Sequence, residues 1–159
     1  MPTLPSFVDL LAPERIAVCV EAASRMDVIA GCAQRISASD PAIDAEQLVA
    51  DLQAREATLS TGVGDGIAIP HARTPAVTRT TAAVATLQTA VDWDAIDGAP
   101  VDLVVVFAGP KGDRAAHIRL LAQISRVLST SGVRQQLAAA RTEAEVLDAL
   151  AAAEGAVVE

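Results

Sequence analysis

Val101-Asp102-Leu103-Val104-Val105-Val106-Phe107-Ala108 is apolar without a break from Leu103 onward. A strand with one wet face alternates apolar and polar residues, so a run this uniform has to be a central strand covered on both faces. Gly109-Pro110 ends it. Beyond that break, Asp113 can cap a helix that places His117, Leu120, Leu121, Ile124, Val127 and Leu128 on one face, so His117 points inward from near the helix start. Upstream, Asp97-Gly98 is a turn signal, Ala82 to Leu87 reads as a strand, and Ile16 to Val20 as the first strand. Two helices precede this half of the chain. Ser24 with Asp27 starts one that runs to about Ser37, with Met26, Ile29, Ala30, Ala33 and Ile36 at helical spacing. Asp44 with Gln47 resembles a capping box for the second, which ends near Thr58. Two more helices follow, at about Gly132 to Ala139 and, with Thr142 and Glu145 as a capping box, from Thr142 to about Ala152. Helices alternating with strands predict an α/β domain in layers.

A second stretch, Ser60-Thr61-Gly62-Val63-Gly64-Asp65-Gly66-Ile67-Ala68-Ile69-Pro70-His71-Ala72-Arg73, carries the chemistry. Its glycines permit positive φ and close approach, Asp65 serves the same turn, and Ile67 to Ile69 reads as a short buried strand. Pro70 cannot donate to a ladder, so it should stop that strand and leave His71 exposed on a tight loop. The spacing G-x-G-x-G is neither a P-loop nor the dinucleotide fingerprint G-x-G-x-x-G, so the glycines do not predict a nucleotide site.

The run STGVGDGIAIPHA resembles the signature of phosphotransferase-system (PTS) EIIA domains of type 2, the fructose, mannitol and nitrogen-regulatory family. In that family the histidine after the proline carries a phosphoryl group. Val91-Asp92-Trp93-Asp94-Ala95-Ile96-Asp97-Gly98 with Pro100 to Val104 resembles the family's middle segment, and His117-Ile118-Arg119-Leu120-Leu121-Ala122 its second histidine on a helix. The resemblance implies a three-layer sandwich with a small mixed β-sheet between helices, a domain over residues 4–152, and a tail or linker start over 153–159. It implies that His71 accepts the phosphoryl group on Nε2 as a tele-phosphohistidine, and that His117 stabilises the group. Arg55, in the Arg55-Glu56 pair before the Ser-Thr-Gly run, is implied to lie close to the active centre. The His-Ala-Arg-Thr form looks closest to fructose-type members, and Ala72 stands where many members have glycine.

These roles fit elementary chemistry. A phosphoryl acceptor must be a neutral imidazole nitrogen, accessible, with the other ring nitrogen fixed by a neighbour that the sequence does not name. An inward histidine on an apolar helix face is either core packing or a second site residue; the helix N-terminus beside His117 favours an anion there. A guanidinium suits phosphate as a rigid fork of donors, so Arg55 is either a ligand of that anion or a solvated helix-end cation. Arg73 meets the same anion or is a surface residue. Two histidines without H-E-x-x-H or a cysteine pair do not make a zinc site. No cofactor is expected, since the side chain is both nucleophile and leaving group.

Length and composition bound the rest. The 159 residues, 52% hydrophobic, suffice for one core in one domain. A net charge of -8 disfavours nucleic acid and anionic membrane and suits a basic protein partner. Aromatic residues at 2% leave no stacking surface for bases or sugar rings; Trp93 and Phe107 are expected as packing anchors. Cys19 and Cys32, both in apolar segments, are expected as buried cytoplasmic thiols. No signal peptide or membrane span is legible, so the protein is expected in the cytoplasm. With the resemblance, the expected partners are the phosphocarrier protein HPr as donor and a PTS IIB protein or domain as acceptor, for uptake of a fructose-like sugar. The alternative is a nitrogen-regulatory-type EIIA, whose phosphorylation state controls its binding to regulatory partners.

Overall fold

A computed structural model describes residues 6–158; the expected domain start at residue 4 lies outside them. The elements are β1 (Ile16–Val20), α1 (Arg25–Ala38), α2 (Ala45–Thr58), β2 (Gly62–Gly64), β3 (Ile67–Ala68), β4 (His71–Arg73), β5 (Thr81–Val91), β6 (Val101–Gly109), α3 (Arg114–Leu128), α4 (Val133–Ala139) and α5 (Glu143–Val158). Two short 3-10 turns, Val8–Leu10 and Pro13–Arg15, precede β1.

The strands form one mixed sheet in the order β1-β5-β6-β3-β2, with β4 also paired to β6. β6 is central, as its apolar run requires: it is antiparallel to β5 and parallel to β3 and β4. Its alternate residues feed two separate cores. Leu103, Val105 and Phe107 pack with Leu120, Ile124, Val127, Leu137, Val146 and Leu150 from α3, α4 and α5. Val104, Val106 and Ala108 pack with Ile29, Cys32, Ile36, Leu48 and Leu52 from α1 and α2. The molecule is therefore a three-layer sandwich, helices on either face of a mixed sheet.

The predicted caps form. Ser24, Asp44 and Asp113 accept from the backbone N–H of Asp27, Gln47 and Ala116, satisfying donors that each helix start would otherwise leave open. Asp44 and Gln47 do not make a reciprocal box, because the Gln47 amide turns forward to Asp51 Oδ1. Thr142 accepts from Glu145 N, and Glu145 reaches back to Arg141 N.

Four expectations are corrected. The glycine run is more than a turn: Gly62–Gly64 forms β2, hairpinned to β3 through Asp65-Gly66, both at positive φ of 58° and 77°. The chain does not leave the sheet at Pro70. A proline loses only its donor, and its carbonyl still accepts from Phe107 N at 3.1 Å, so the line of β3 resumes as β4 and pairs His71, Ala72 and Arg73 with Phe107, Ala108 and Gly109. The last helix does not stop near Ala152 but continues to Val158, because Ala153 is buried and Glu154 Oε2 accepts from Val8 N at 2.9 Å. Of the two thiols, Cys32 is buried, and that burial pushes its pKa up to about 12. Cys19 is only half-buried, at a positive φ of 53°, with Arg141 Nη1 donating to its Sγ at 3.3 Å. No helix among the described residues is long and apolar enough to cross a membrane.

Candidate functional site

Strand alternation decides which way His71 looks. Ile67 and Ile69 face the α3–α5 core while Ala68 and Ala72 face α1 and α2, so His71, two residues past Ile69, turns toward α3. It is half-buried in β4, not exposed on a loop as the sequence predicted, because Pro70 interrupts the strand without ending it. Ala72, which stands in place of the glycine expected from the resemblance, lies buried in extended backbone, so its methyl imposes no strain on the residue after His71.

His71 Nδ1 lies 2.7 Å from the carbonyl oxygen of Ile69. A carbonyl can only accept, so Nδ1 holds the proton and Nε2 is left with a free lone pair. The neighbour that the sequence did not name is thus a main-chain group two residues back. Burial depresses the pKa of His71 below its ordinary value and outweighs the Ile69 bond, which raises it; Arg55 lowers it and Glu56 raises it. The ring is therefore neutral at neutral pH.

His117 sits in the first turns of α3, which Asp113 caps. Its ring centroid is 5.3 Å from that of His71. Phe107 completes a triangle with them, stacked on His71 at 5.2 Å and 12° and tilted against His117 at 4.7 Å. Phe107, expected only as a packing anchor, fixes the plane of the His71 ring. A Cβ at Gly109 would lie 3.7 Å from His117 Nδ1, an ordinary contact, and 3.2 Å from Thr80 Oγ1, so what the glycine relieves is crowding against Thr80. The Nδ1 of His117 is buried with no hydrogen-bond partner among the described residues. Burial, then the charges of His71, Arg73 and Arg55, hold the pKa of His117 down to about 4.

A cleft of about 650 Å³ opens over the two rings, lined by Asp51, Arg55, His71, Ala72, Arg73, Lys111 and His117. The structure thus gathers His71, His117, Arg55 and Arg73 at one opening, although they come from β4, α3 and α2. Arg55 Nη1 donates to Leu59 O at 2.8 Å, and Arg73 Nη1 approaches Lys111 O at 3.5 Å; both guanidiniums keep further N–H groups for a ligand. Asp51 shares the cleft but makes no ion pair with them among the described residues. Thr74 Oγ1 donates to it at 2.5 Å and Gln47 Nε2 at 2.9 Å, which holds its carboxyl below the usual carboxylate range.

The sequence reading missed Phe107, Lys111 and the Ile69 carbonyl. The sequence placed Phe107 only as a packing anchor in an apolar run, and the register that sets it beside His71 is not local information. Among the described residues no group of three or more His, Cys, Asp or Glu side chains is arranged to hold a metal ion. A neutral, oriented imidazole with a free nitrogen, opening on a cleft with two arginines and a lysine, can accept a dianionic group and hold it.

Comparison with known proteins agrees with this chemistry. Residues 9–153 match the family model described as phosphoenolpyruvate-dependent sugar phosphotransferase system, EIIA 2. A nitrogen regulatory protein of Pseudomonas aeruginosa is 41% identical over 133 residues, 84% of this chain and 86% of that protein. A PTS system fructose-specific EIIA component of Haloferax volcanii is 38% identical over 119 residues, 75% of this chain and 73% of that protein. The crystal structure of nitrogen regulatory protein IIA-Ntr from Neisseria meningitidis matches with a TM-score of 0.82 at 27% identity, over 90% of this chain and 97% of that one.

Proposed function

The chain belongs to the phosphoenolpyruvate-dependent sugar phosphotransferase system EIIA 2 family, and on that premise we propose that it carries a phosphoryl group on His71 in the cytoplasm, from the phosphocarrier HPr to a PTS IIB protein or domain, for uptake of a fructose-like sugar. The observation that carries this reading is the Ile69 carbonyl on Nδ1, which leaves Nε2 as a nucleophile facing a cationic cleft. In the forward step the Nε2 lone pair attacks phosphorus, the bond from phosphorus to the donor histidine breaks, and its electron pair returns to the donor ring. The Nδ1 proton stays where it is. His71 gains a phosphoryl group and the donor loses one, with no further reactant.

His117 and Arg55 stabilise the charge. An orphaned lone pair is tolerated better than an orphaned N–H, so the His117 tautomer with its proton on Nε2 fits the partnerless Nδ1. Neutral His117 then donates one hydrogen bond to a phosphoryl oxygen, and Arg55 supplies a forked donor and positive charge.

Incubation with phosphorylated HPr, followed by intact mass against time, tests the reading. His71→Ala should take up no phosphoryl group. His117→Ala should still take one up, slowly, and pass it to a IIB partner on the order of 100-fold more slowly, as for one lost oxyanion donor. A stable one-phosphate species on His71→Ala overturns the assignment. The 41% identity to a nitrogen regulatory protein favours a second reading, in which the phosphorylation state of His71 controls binding to a regulatory partner. Adjacent IIB and IIC genes would support transport; a nitrogen-regulation operon would support signalling.

A further inference from the structure

We propose that Thr80 is a positioning residue for His117: its hydroxyl donates to the buried Nδ1 and holds the ring with Nε2–H turned to the phosphoryl group. The role rests on the reading of His117 as the group that stabilises that phosphate.

Sheet register brings the two residues together. β5 and β6 pair Thr81 with Ala108 and Ala82 with Phe107, so one step back along the same ladder Thr80 stands opposite Gly109. From the other side, β4 pairs Arg73 with Gly109 and His71 with Phe107. Paired residues share a face, and Phe107 and Ala82 face the core under α3. Arg73, Gly109 and Thr80 therefore form the next row on that face, beyond His71, Phe107 and Ala82. His117 packs down on both rows from α3.

Gly109 leaves a hollow in the middle of its row. The point where its Cβ would stand lies 3.2 Å from Thr80 Oγ1 and 3.7 Å from His117 Nδ1. Apart from the chain neighbours of Gly109, no other heavy atom of the described residues comes within 4 Å of it. The two atoms thus face one gap, with no side chain at Gly109 to part them. Other partners are ruled out by position: Nδ1 is buried from water, and Arg73, across Gly109 from Thr80, turns its Nη1 toward Lys111 O. A buried acceptor left without a donor is costly, and a hydroxyl is free to rotate. A small turn of the ring across the hollow closes the bond that the structure leaves open.

His117 stands between two spaces. It lines the phosphoryl cleft with His71 and Arg55, and a second cavity of about 580 Å³ with Thr80 and Gly109. The bond made by one ring nitrogen decides what the other offers. With a donor at Nδ1 the proton stays on Nε2, and because the ring is conjugated, accepting at Nδ1 makes Nε2–H a stronger donor to a phosphoryl oxygen.

The test reads the imidazole nitrogen resonances of labelled, unphosphorylated protein at neutral pH, where a His117 pKa of about 4 keeps that ring uncharged. The full chain is compared with Thr80→Val, Thr80→Ser and Thr81→Val, and transfer to a IIB partner is timed in each. In the wild type, His117 should carry its proton on Nε2, with Nδ1 shifted upfield as a hydrogen-bonded lone pair. Thr80→Val, which keeps the shape and loses the donor, should move Nδ1 downfield toward a bare lone pair and slow transfer roughly 2- to 10-fold, as for one neutral hydrogen bond. Thr80→Ser should restore both. Thr81→Val, on the face of Ala108, should leave His117 unmoved, and His71 Nδ1 should keep its resonance throughout. In a His117→Ala background, Thr80→Val should slow transfer no further. A wild-type ring protonated on Nδ1, an unmoved Nδ1 resonance in Thr80→Val, or an undiminished effect of Thr80→Val without His117 would each overturn the proposal. Should Thr80→Val fail to fold, Gly109→Ala fills the hollow at a backbone without positive φ and is judged by the same resonance. The resonances need no phosphate, so a protein that takes up none would remove the phosphoryl role of His117 and still leave its bond to Thr80 decided.

Discussion

His71 and His117 both pack against Phe107 and differ in what holds them: one has its Nδ1 on a carbonyl, the other has a buried Nδ1 with no partner among the described residues. That difference has a consequence for stability. The folded protein holds the pKa of His117 near about 4 against an ordinary 6.5, and burial moves His71 the same way. Between those two values the unfolded chain binds protons that the folded chain refuses. Their contribution to stability is therefore complete above about pH 6.5 and is lost as pH falls toward about 4. Asp51 and Asp97, both held below 3.8, add losses only at lower pH. Urea unfolding at a series of pH values should show stability falling from pH 6.5 downward, with a shallower fall in His117→Ala; an identical slope in that variant would refute the assignment. Arg55 has a separate signature. Lysine keeps the charge but not the fork, so Arg55→Lys should slow phosphoryl transfer while moving the melting temperature little, since the hydrogen bond at stake, to Leu59 O, is exposed. Normal transfer in both Arg55→Lys and Arg55→Ala would make Arg55 a solvated helix-end cation.

At the scale of elements, Gly62 and Gly98 are glycines for different reasons, and substitution separates them. Gly62 has no positive φ, but a Cβ there would lie 2.7 Å from Ala95 Cβ and 2.8 Å from Ala95 Cα. The loop that docks through Ile96 N on Gly62 O would have to move. Gly98 has open space around it and a φ of +74°. Gly62→Ala should therefore cost about 1–3 kcal/mol by overpacking, and Gly98→Ala about 1–2 kcal/mol by left-handed backbone alone. A crystal structure should show the 92–98 loop displaced only in Gly62→Ala; an undisturbed loop there would refute the packing account. The same contrast explains what was legible in the sequence. The caps at Ser24, Asp44 and Asp113, the ends of β1 and the central place of β6 follow from local rules and from one uninterrupted apolar run. The strand at His71 and the place of Phe107 follow from register between β4 and β6, and the close approach at Gly62 from the docking of the 92–98 loop on β2, neither of which a local rule specifies. Pro70 shows why the site was read as a loop: the missing N–H is visible in the sequence, while the carbonyl that still pairs with Phe107 N is not.

The whole molecule is two cores separated by one sheet, and α5 determines how the N-terminal segment joins the first of them. Phe7, Leu10 and Leu11 belong to the same buried cluster as Val146, Leu150 and Ala153, and Val8 N is bound to Glu154 Oε2 at 2.9 Å. The residues past 152 are thus a contact between the two ends of the described chain, and we propose that the domain extends through them. Deleting residues 153–159 tests this. The deletion removes a charge-assisted hydrogen bond, worth about 1.5–3 kcal/mol, and the burial of one methyl, worth about 0.8 kcal/mol. A loss of about 2–4 kcal/mol in a chain of this size corresponds to roughly 5–15 °C in melting temperature. The cleft is lined from α2, β4, the turn at Lys111 and the start of α3, with nothing from α5. Phosphoryl uptake by the truncated protein at 25 °C should therefore match that of the full chain, while hydrogen exchange should quicken at Val8, Leu10 and Leu11. If the truncated chain melts with the full one and those amides keep their protection, residues 153–159 are a tail after all, and their contact with the N-terminal segment contributes nothing to the fold.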